Sequence, residues 1–466
     1  MKNYKYPKIY STLNDDQKLA FQMMVHGHDS GINFFLTGDA GTGKSYLIDA
    51  FYQFCCMNDI NMLKCAPTGV AATNIGGITM HRMFKLPLSV LTEKLEGSQF
   101  ANLYKMLQYA DVMFVDEVSM ARIDMFGNAM AQLREANKIR EKSGKAPVQV
   151  IVCGDFGQLM PVVTETDRNL YKQLTGRDIG TGCCYNSHWW DDLAFQPILL
   201  TKPMRQNDAR FCKALDNIKI GIRSDIDYLN QNTAQHPVKD GIWLCGYNNT
   251  AAEKNARGIY NLPGEASVSK AVVSGKADIK KTNFAETLIY KVGARVVMVM
   301  REMGNPSSPY DNGSLGTITD IGRSWVKIRL DRGPTVTVEK VKLPAYDYEV
   351  IGGRVEPKEI GYVIQYPFKI GYAITIHKSQ GQTYDKMNIV PEIFTPGQLY
   401  VALSRCKEIG NIYVQPDGAG RRITPEKVLP NPEVVKFLIG QDAKYASFKD
   451  YFKQGLYRDD IPVESY

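Results

Sequence analysis

Gly38-Asp39-Ala40-Gly41-Thr42-Gly43-Lys44-Ser45 decides the fold of this chain, because it is a complete phosphate-binding loop. Residues 32–36 before it predict a short buried strand, and the apolar residues between 46 and 54 fall at helical spacing. A loop that joins a strand to a helix N-terminus points backbone N–H groups and the helix dipole at one space, which attracts phosphate. The pattern therefore predicts a nucleotide site rather than a chance glycine turn.

The residue types in and just after this loop predict its ligands. Lys44 is placed to reach the β- and γ-phosphates of ATP, and the Ser45 hydroxyl is placed to ligate Mg²⁺. ATP and Mg²⁺ are therefore the expected cofactors. The nucleotide-binding residues predicted here are Gly38, Ala40, Gly41, Thr42, Gly43, Lys44, Ser45 and Tyr46.

Length and composition limit the class of protein. With 466 residues the chain exceeds the ~250–300 residues at which one hydrophobic core stops growing, so two or more domains are expected. Hydrophobic residues make up 44% and charged residues 23%, a balance typical of globular proteins. The net charge of +7 permits a nucleic-acid partner without demonstrating one.

The cysteines and the apolar runs indicate the cellular compartment in which the protein is expected. Nine Cys without a Cys-x-x-Cys pair fit neither a disulfide framework nor a four-ligand zinc site. Cys183 and Cys184 with His188 come closest to a metal cluster, but no fourth ligand follows at ligand spacing. No run approaches the ~18 apolar residues of a membrane span, and the first residues do not lead into a signal-peptide core. We expect a cytoplasmic protein of bacterial or viral origin with no membrane partner.

Two further apolar strands in the first half end in polar residues of ligand type. Residues 112–115 run directly into Asp116 and Glu117, and residues 148–152 lead into a segment that contains Gln158. Carboxylates at the end of such a strand lie where an open α/β sheet binds its ligand. Asp116 is thus predicted to hold Mg²⁺, Glu117 to orient or deprotonate the attacking water, and Gln158 to sense the γ-phosphate.

Small and hydroxyl-bearing residues follow another predicted strand, at 62–66. They occur in Pro67-Thr68-Gly69 and again in Thr79-Met80-His81. A surface of this kind lets backbone phosphates approach closely. An ordinary strand-to-helix turn is the alternative explanation.

The second half of the chain repeats the strand-to-helix pattern without a phosphate loop. Residues 242–247 predict a strand that a helix cap follows. Short alternating strands between about residues 293 and 361 predict a small antiparallel barrel. The cations on this segment fit either a solvated sheet edge or a nucleic-acid contact, and they are Lys327, Arg329, Arg332, Lys340 and Lys342.

Two later segments carry candidate site residues. Thr375-Ile376-His377-Lys378 lies in a stretch dense in side chains that contact phosphates and sugars. A lone His is more often structural, but this one lies between a Thr and a Lys. Arg405 ends a predicted helix, where it either opposes the helix dipole or reaches the γ-phosphate as an arginine finger.

Taken in order, these motifs resemble those of superfamily 1 helicases. The amino-acid sequence is similar to that of the Pif-type (petite integration frequency) family at residues 66–81, 154–162 and 365–383. The resemblance covers about residues 10 to 415. The motifs that carry it are Gln17, the loop at 38–45, Ala66-Pro67-Thr68-Gly69, Asp116-Glu117-Val118-Ser119-Met120, Gly154-Asp155-Phe156-Gly157-Gln158-Leu159, Met204-Arg205-Gln206, His377-Lys378-Ser379-Gln380-Gly381 and Val401-Ala402-Leu403-Ser404-Arg405.

The resemblance implies roles for individual residues. Gln17, which also fits a helix capping box with Asn14, would read adenine, and Gly381 would join the nucleotide site. The implied catalytic residues are Lys44, Asp116, Glu117, Gln158, Arg205 and Arg405, with Ser45 and Asp116 on the metal. The implied contacts to single-stranded DNA are Pro67, Thr68, Gly69, Thr79, His81, Phe84, Pro161, Val162, Thr375, His377 and Lys378.

The resemblance also implies an α/β fold of two RecA-like lobes, each a doubly wound parallel sheet. Residues 84–88 would either split the duplex as part of a small wedge or form a buried turn. The implied divisions are residues 1–200 for the first lobe with the wedge at about 82–108, 201–292 and 362–416 for the second lobe, 293–361 for an inserted SH3-like β domain, and 417–466 for a C-terminal extension.

The implied activity is ATP-dependent unwinding of DNA by a monomer that moves 5′ to 3′ on the single strand, with roles in replication, repair, recombination or telomere maintenance. Tailed duplexes, quadruplexes and RNA–DNA hybrids are candidate substrates, and single-strand-binding or replication proteins are candidate partners. Two other classes stay open: a RecD-like helicase subunit of a nuclease complex, and a P-loop ATP switch that works without DNA. A stable monomer with full unwinding activity would exclude the first, and DNA-independent hydrolysis would indicate the second.

Overall fold

The computed structural model describes residues 4–87, 90, 100–202, 208–300, 308–352, 354–458 and 461–464. Its helices are α1 (Asp15–Ser30), α2 (Lys44–Met57), α3 (Gly69–Asn74), α4 (Met80–Met83), α5 (Ala101–Leu107), α6 (Ile123–Lys142), α7 (Glu165–Thr175), α8 (His188–Asp192), α9 (Ala209–Lys219), α10 (Ile226–Asn232), α11 (Asn248–Tyr260), α12 (Gln398–Leu403) and α13 (Pro432–Gly455). Its strands are β1 (Tyr6–Pro7), β2 (Phe34–Gly38), β3 (Met62–Ala66), β4 (Ile78–Thr79), β5 (Val112–Val115), β6 (Gln149–Cys153), β7 (Gln196–Leu200), β8 (Ile242–Cys245), β9 (Ser267–Lys270), β10 (Val272–Gly275), β11 (Thr287–Tyr290), β12 (Arg295–Met298), β13 (Leu315–Ile321), β14 (Trp325–Leu330), β15 (Thr335–Glu339), β16 (Val341–Ile351), β17 (Arg354–Gln365), β18 (Phe368–Ile370), β19 (Ala373–Thr375), β20 (Met387–Ile389), β21 (Ile412–Val414) and β22 (Val463–Glu464).

Six parallel strands form the sheet that carries the phosphate loop. Their order across the sheet is β4-β3-β5-β6-β2-β7, so β2, which leads into the loop, lies inside the sheet. Successive residues of a strand point to opposite faces. Phe35 accordingly packs in a core with residues of α6, while Phe34 packs in another core with residues of α1 and α2. Helices therefore cover both faces, as expected of a doubly wound lobe.

Four parallel strands, in the order β19-β8-β20-β21, form a second α/β sheet. Leu244 of β8 shares a core with Phe211 of α9 and Leu399 of α12. The neighbouring Cys245 faces Ala251 of α11 in a separate cluster. Both faces of this sheet are again covered by helices, so the prediction of two α/β lobes is confirmed.

In the chain, antiparallel strands lie between β8 and β19, which are neighbours in the second sheet. One sheet has the order β15-β14-β13-β12-β18, another has β10-β17-β16, and β9 pairs with β11. Val296, Ile318 and Ile328 help to fill the core of this region. The antiparallel strands extend from residue 267 to residue 370, beyond both ends of the predicted insertion, because β10 pairs with β17 and β18 pairs with β12.

The longest pair of strands, β16 and β17, forms a hairpin that the sequence pattern did not reveal. The hairpin reaches the first lobe, where Tyr348 packs against the core and a carboxylate oxygen of Asp347 lies 4.0 Å from Nε of Arg82. Pro344 interrupts the first of the two strands, and apolar residues alternate only weakly with polar ones along both. A proline and weak alternation both argue against a strand when only the sequence is read. Here the pairing between the two strands outweighs both signals.

Part of the predicted wedge belongs to the core of the first lobe. Phe84 is fully enclosed and Leu86 is buried in the same cluster. Phe84 therefore packs inside the lobe instead of contacting single-stranded DNA, because removing a large apolar ring from water is favourable. Leu88 and residues 91–99 lie outside the described residues, so the role of that segment in splitting a duplex stays a prediction.

The C-terminal helix α13 packs on the first lobe. Phe437 stacks on Tyr185 with 4.1 Å between ring centroids and 11° between ring planes. Tyr445 and Phe452 lie in the core that α1 and α2 line, and β22 pairs in parallel with β1. Within the described ranges, none of the helices combines the length and the apolar character that crossing a bilayer requires.

Candidate functional site

The phosphate loop has the geometry that an anion requires. Gly41 and Gly43 have φ angles of +87° and +83°, in the left-handed region that favours glycine. Thr42 is buried, and its hydroxyl donates to the Asp39 carbonyl oxygen at 2.9 Å. Helix α2 begins directly after this ordered turn, with Gly43 as its N-cap. Its N-terminal N–H groups and dipole therefore face the space above the loop, which suits phosphate.

Lys44 lies across the loop. Its ammonium donates to the carbonyl oxygens of Gly38 at 2.7 Å and of Asp39 at 3.1 Å. Hydrogen bonds between two charged groups are stronger than those from a cation to a neutral carbonyl. Incoming phosphates therefore compete well for this ammonium, in agreement with the role predicted for Lys44.

Gln17 fits the predicted helix capping box. It completes a capping box with Asn14, since its backbone N–H donates to the Asn14 side chain and its own side-chain oxygen accepts from the Asn14 N–H. Its side-chain amide also donates to the Gly43 carbonyl oxygen at 3.3 Å. The start of α1 thus holds Gln17 beside the phosphate loop, and its contact with adenine stays a prediction.

Asp116 and Glu117 follow β5 at the carboxyl edge of the same sheet. Glu117 has a φ angle of +47°, a conformation that is uncommon for residues other than glycine and recurs at functional sites. Burial and the neighbouring charge of Asp116 raise the pKa of Glu117 to about 7, against the opposing charges of Lys44 and Arg405. Burial also raises the pKa of Asp116. Two adjacent carboxylates of this kind supply the oxygen ligands that Mg²⁺ prefers.

Arg405 is 1% exposed, just after the end of α12. Its guanidinium donates to the Val401 carbonyl oxygen at 2.9 Å and to the Ser404 hydroxyl at 2.7 Å. Burial lowers the pKa of this guanidinium, while Tyr400 and Glu117 raise it. Arg405 therefore satisfies one carbonyl group of its own helix, and its charge also acts on the candidate catalytic carboxylate, so both predicted roles stay open.

A charged cluster joins the two lobes beside the phosphate loop. Lys219, the last residue of α9, donates to the Asp39 carboxylate at 2.8 Å and lies 3.1 Å from the Asp155 carboxylate. The Tyr400 hydroxyl of α12 lies 3.3 Å from an oxygen of each carboxylate and accepts from the Ala40 N–H at 3.3 Å. Sequence reasoning missed this cluster because Lys219 is 180 residues from Asp39.

The same cluster orients Gln158. The Asp155 carboxylate accepts from the Gly157 N–H at 2.9 Å and from the Gln158 side-chain amide at 3.3 Å. A Cβ atom on Gly397, at the start of α12, would lie only 2.2 Å from the Gln158 carbonyl oxygen, so glycine is required for this close approach. Through Asp155, Lys219 connects the second lobe to the loop that is predicted to sense the γ-phosphate.

Lys219→Met is expected to lower the free energy of unfolding by about 3–5 kcal/mol, because it leaves the buried Asp155 without its cation. Lys213→Met removes an exposed lysine from the same helix and should change the free energy of unfolding by no more than about 0.5 kcal/mol. Denaturant titration of the two variants measures both values. Equal stability would show that the cluster does not hold the lobes together.

Three threonines predicted to contact DNA share one arrangement. The hydroxyl oxygens of Thr68, Thr79 and Thr375 each accept from the backbone N–H three residues later, at 3.2, 3.3 and 3.4 Å. An accepting hydroxyl keeps its proton for a second partner such as a phosphate oxygen. Thr375 is buried, whereas the other two are partly exposed. The local turns thus orient these hydroxyls without using up their donors.

The remaining predicted contacts differ in exposure. Val162 is 73% exposed, and Lys378 is exposed with its ammonium 3.3 Å from the Asn248 side-chain oxygen. His377 is half-buried, and burial lowers its pKa. The partly exposed positions among the others are Pro67, Gly69, His81 and Pro161.

The described contacts do not test the remaining predicted nucleotide contacts. Arg205 lies outside the described residues, and its role stays a prediction. Gly381 has a φ angle of +74°, and a Cβ atom there would meet nothing within 4 Å. Ser45 and Tyr46 are exposed on the first turn of α2, with the Tyr46 hydroxyl 2.5 Å from that of Thr12.

The two α/β lobes meet at the phosphate loop, and basic residues of one lobe lie beside carboxylates of the other. This arrangement defines a two-lobed P-loop ATPase of the helicase class. A PIF1-like helicase family model matches residues 12–221. The ATP-dependent DNA helicase Pif1 of Bdellovibrio bacteriovorus is 30% identical over 429 residues, which cover 88% of each chain. The chain belongs to the PIF1-like helicase family, and it is an ATP-dependent DNA helicase.

Solved structures agree with this assignment. The crystal structure of Bacteroides sp Pif1 in complex with ADP-AlF4 matches with a TM-score of 0.80 at 27% identity, covering 93% of this chain and 97% of that one. The structure of Bacteroides Pif1 bound to ssDNA matches with a TM-score of 0.64 at the same identity and coverage. The likeness thus includes the two RecA-like lobes and the inserted β strands.

Proposed function

We propose that this helicase moves 5′ to 3′ along single-stranded DNA and opens tailed duplexes, with ATP and Mg²⁺ bound between its lobes. The observation that carries the proposal is the contact between the lobes at the phosphate loop, where Lys219 and Tyr400 of the second lobe meet Asp39 of the first. ATP adds negative charge at this contact, and hydrolysis removes part of it. The nucleotide state therefore changes how strongly the lobes attract each other, and alternate closing and opening steps them along a strand.

In this proposal the residues of the first lobe perform the chemistry. Lys44 binds the β- and γ-phosphates, while Ser45 and Asp116 ligate Mg²⁺, which offsets negative charge on the phosphates when bound. Glu117 accepts the proton of the attacking water, and its raised pKa suits a general base near neutral pH. Gln158 senses the γ-phosphate, and Asp155 holds its amide in place.

The remaining nucleotide contacts complete the proposed site. Gln17 reads adenine from the start of α1, and Gly381 lines the site from the second lobe. Arg205 and Arg405 reach the γ-phosphate only when the lobes are closed, because both belong to the second lobe in the proposed division of the chain. Hydrolysis then depends on closure, which prevents turnover by an open enzyme.

DNA lies, in this proposal, along the carboxyl edges of both sheets. Thr68 and Thr79 donate to backbone phosphates from the first lobe, and Thr375, His377 and Lys378 contact the strand from the second. A Bacteroides relative has been solved bound to ssDNA, and its likeness to this chain supports the same ligand here. The inserted strands and the β16–β17 hairpin close over this path.

Movement in the 5′ to 3′ direction predicts which substrate is opened. A duplex with a 5′ single-stranded tail should be unwound in the presence of ATP and Mg²⁺, and a duplex with only a 3′ tail should not. Family likeness supports this direction, as does the β-rich insertion in the second lobe. Strand separation on the two substrates measures it, and preferential opening of the 3′-tailed duplex would contradict the direction while leaving the ATPase assignment intact.

We further propose a monomer with the domain division given by the sequence motifs, acting in replication, repair or recombination. A RecD-like subunit of a nuclease complex is the competing possibility. Full unwinding activity of the purified chain, with a mass in solution equal to one copy, would exclude the subunit role.

A further inference from the structure

Three aromatic rings stand at the carboxyl ends of three adjacent strands of the second sheet. Tyr247 follows β8, His377 follows β19 and Phe394 follows β20, and these strands are neighbours in the order β19-β8-β20. Tyr247 and Phe394 stack with 4.8 Å between centroids and 10° between planes. The His377 ring lies 6.4 Å from that of Phe394, at 24° to it. This edge is where parallel α/β sheets bind their ligands.

The Tyr247 and Phe394 rings are exposed although their backbone is held firmly. The two residues are 52% and 48% exposed. The Glu392 carboxylate accepts from the Tyr247 N–H at 3.3 Å, and the Gln398 side-chain oxygen accepts from the Phe394 N–H at 2.9 Å. A flat apolar surface that is kept in place and left open to water fits another flat ring.

Lys378 stands at this edge directly after His377 and is exposed. It donates only to the neutral Asn248 side chain in the described contacts, so it has no anionic partner among the described residues. Its positive charge contributes, after burial, to lowering the pKa of Lys369 of β18 to about 8. An anion placed near Lys378 would relieve this repulsion.

We propose that Tyr247, Phe394 and Lys378 form a site for one nucleotide of a single strand, its base stacked on the aromatic pair and its phosphate beside the Lys378 ammonium. The inference rests on the proposed strand path past His377. A single-stranded nucleic acid supplies a flat ring and a phosphate on each unit, which matches both halves of the site. Every base has a stacking face, so the site grips the strand without reading its sequence.

The site gives the second lobe a grip of its own. Tyr247, Lys378 and Phe394 each follow a strand of the second sheet, so we expect them to move with that lobe when the cleft opens. A base that is stacked there is carried with the lobe, whereas contacts to the first lobe can slide. The site therefore contributes to strand affinity in the absence of nucleotide.

Removal of the ring at position 247 tests the stacking. Tyr247→Ala should weaken binding of a fluorescein-labelled oligothymidylate by about 5- to 150-fold, the range that stacking of one base supports. Tyr247→Phe keeps the ring and should bind like the unchanged protein. Tyr260→Ala removes a ring that is 84% exposed at the end of α11 and should also have no effect. Fluorescence anisotropy without nucleotide measures all four affinities, and thermal unfolding checks that each variant is folded.

An abasic oligonucleotide separates stacking from charge. The unchanged protein should prefer oligothymidylate to an abasic strand of equal length, and Tyr247→Ala should bind the two alike. Lys378→Met should reduce the slope of log affinity against log salt by about 0.7, the value for one phosphate contact on a single strand. Lys270→Met, at an exposed position on β9, should leave that slope unchanged.

The outcomes distinguish this site from the proposed strand path. If folded Tyr247→Ala binds oligothymidylate as tightly as the unchanged protein, or still prefers it to the abasic strand, the stacking site is wrong while DNA binding stands. Equal losses in Tyr247→Ala and Tyr247→Phe would assign the effect to the hydroxyl and also overturn stacking. If the unchanged protein fails to bind the oligonucleotide at all, the strand path itself is wrong.

Discussion

Arg405→Ala is expected to lower the rate of DNA-stimulated ATP hydrolysis by ~10³–10⁵-fold, the loss typical of a missing arginine finger. Arg405 is enclosed, and its positive charge helps to lower the pKa of Glu117, so we expect closure of the lobes to bring its guanidinium to the γ-phosphate. A cation held there by the closed cleft stabilises the charge that develops in the transition state. Single-turnover hydrolysis measures the chemical step, and a fluorescent ATP analogue should show that the variant still binds nucleotide.

The competing role of Arg405 is to satisfy its own helix, since it donates to the Val401 carbonyl oxygen at 2.9 Å. Arg405→Lys separates the two roles. A lysine keeps the positive charge at the end of α12 but cannot reproduce the planar fork of guanidinium donors, so turnover should stay low while stability recovers. A fall in turnover of only about twofold in Arg405→Ala, with reduced stability, would assign the residue to the helix end.

Lys44→Ala should reduce ATP hydrolysis to the background rate in a protein that remains folded. The Lys44 ammonium donates only to the Gly38 and Asp39 carbonyl oxygens in the described contacts, at 2.7 and 3.1 Å, and water can replace it there. No other cation of the loop is placed to meet the β- and γ-phosphates, so the variant loses charge stabilisation in the transition state. Steady-state turnover with saturating single-stranded DNA measures the loss.

Lys142→Ala is the matched control for Lys44→Ala. It removes an exposed lysine at the end of α6, outside the nucleotide site, and should leave turnover unchanged. Circular dichroism and thermal unfolding show whether Lys44→Ala is folded. Near-normal turnover in a folded Lys44→Ala variant would contradict the assignment of the phosphate loop.

The sequence alone predicted the parts of the site that are contiguous in the chain. The loop from Gly38 to Ser45 and the pair Asp116 and Glu117 each lie at the end of a buried strand, and β3 and β5 have the bounds expected from their apolar patterns. Strand, turn and ligand residues are neighbours in these motifs. Local propensity and hydrophobic periodicity therefore contain the information that defines them.

Only the tertiary structure showed which distant residues meet. Phe84 is in the core rather than on the strand path, β16 and β17 form a long hairpin against the first lobe, and Tyr247 stacks on Phe394. Each of these depends on how separate elements pack, and neither composition nor periodicity encodes the partner.

The sequence by itself determined that the protein is a two-lobed P-loop helicase of a known family. It could do so because the motifs are local and their chemistry depends on adjacent residues. What the tertiary structure decided is how the lobes are coupled. Lys219 reaches Asp39 across 180 residues of chain, and the charge of Arg405 in the second lobe helps to lower the pKa of Glu117 in the first. Such contacts form only when the packing of the two lobes brings distant residues together, because desolvating the charges costs free energy that their pairing must offset.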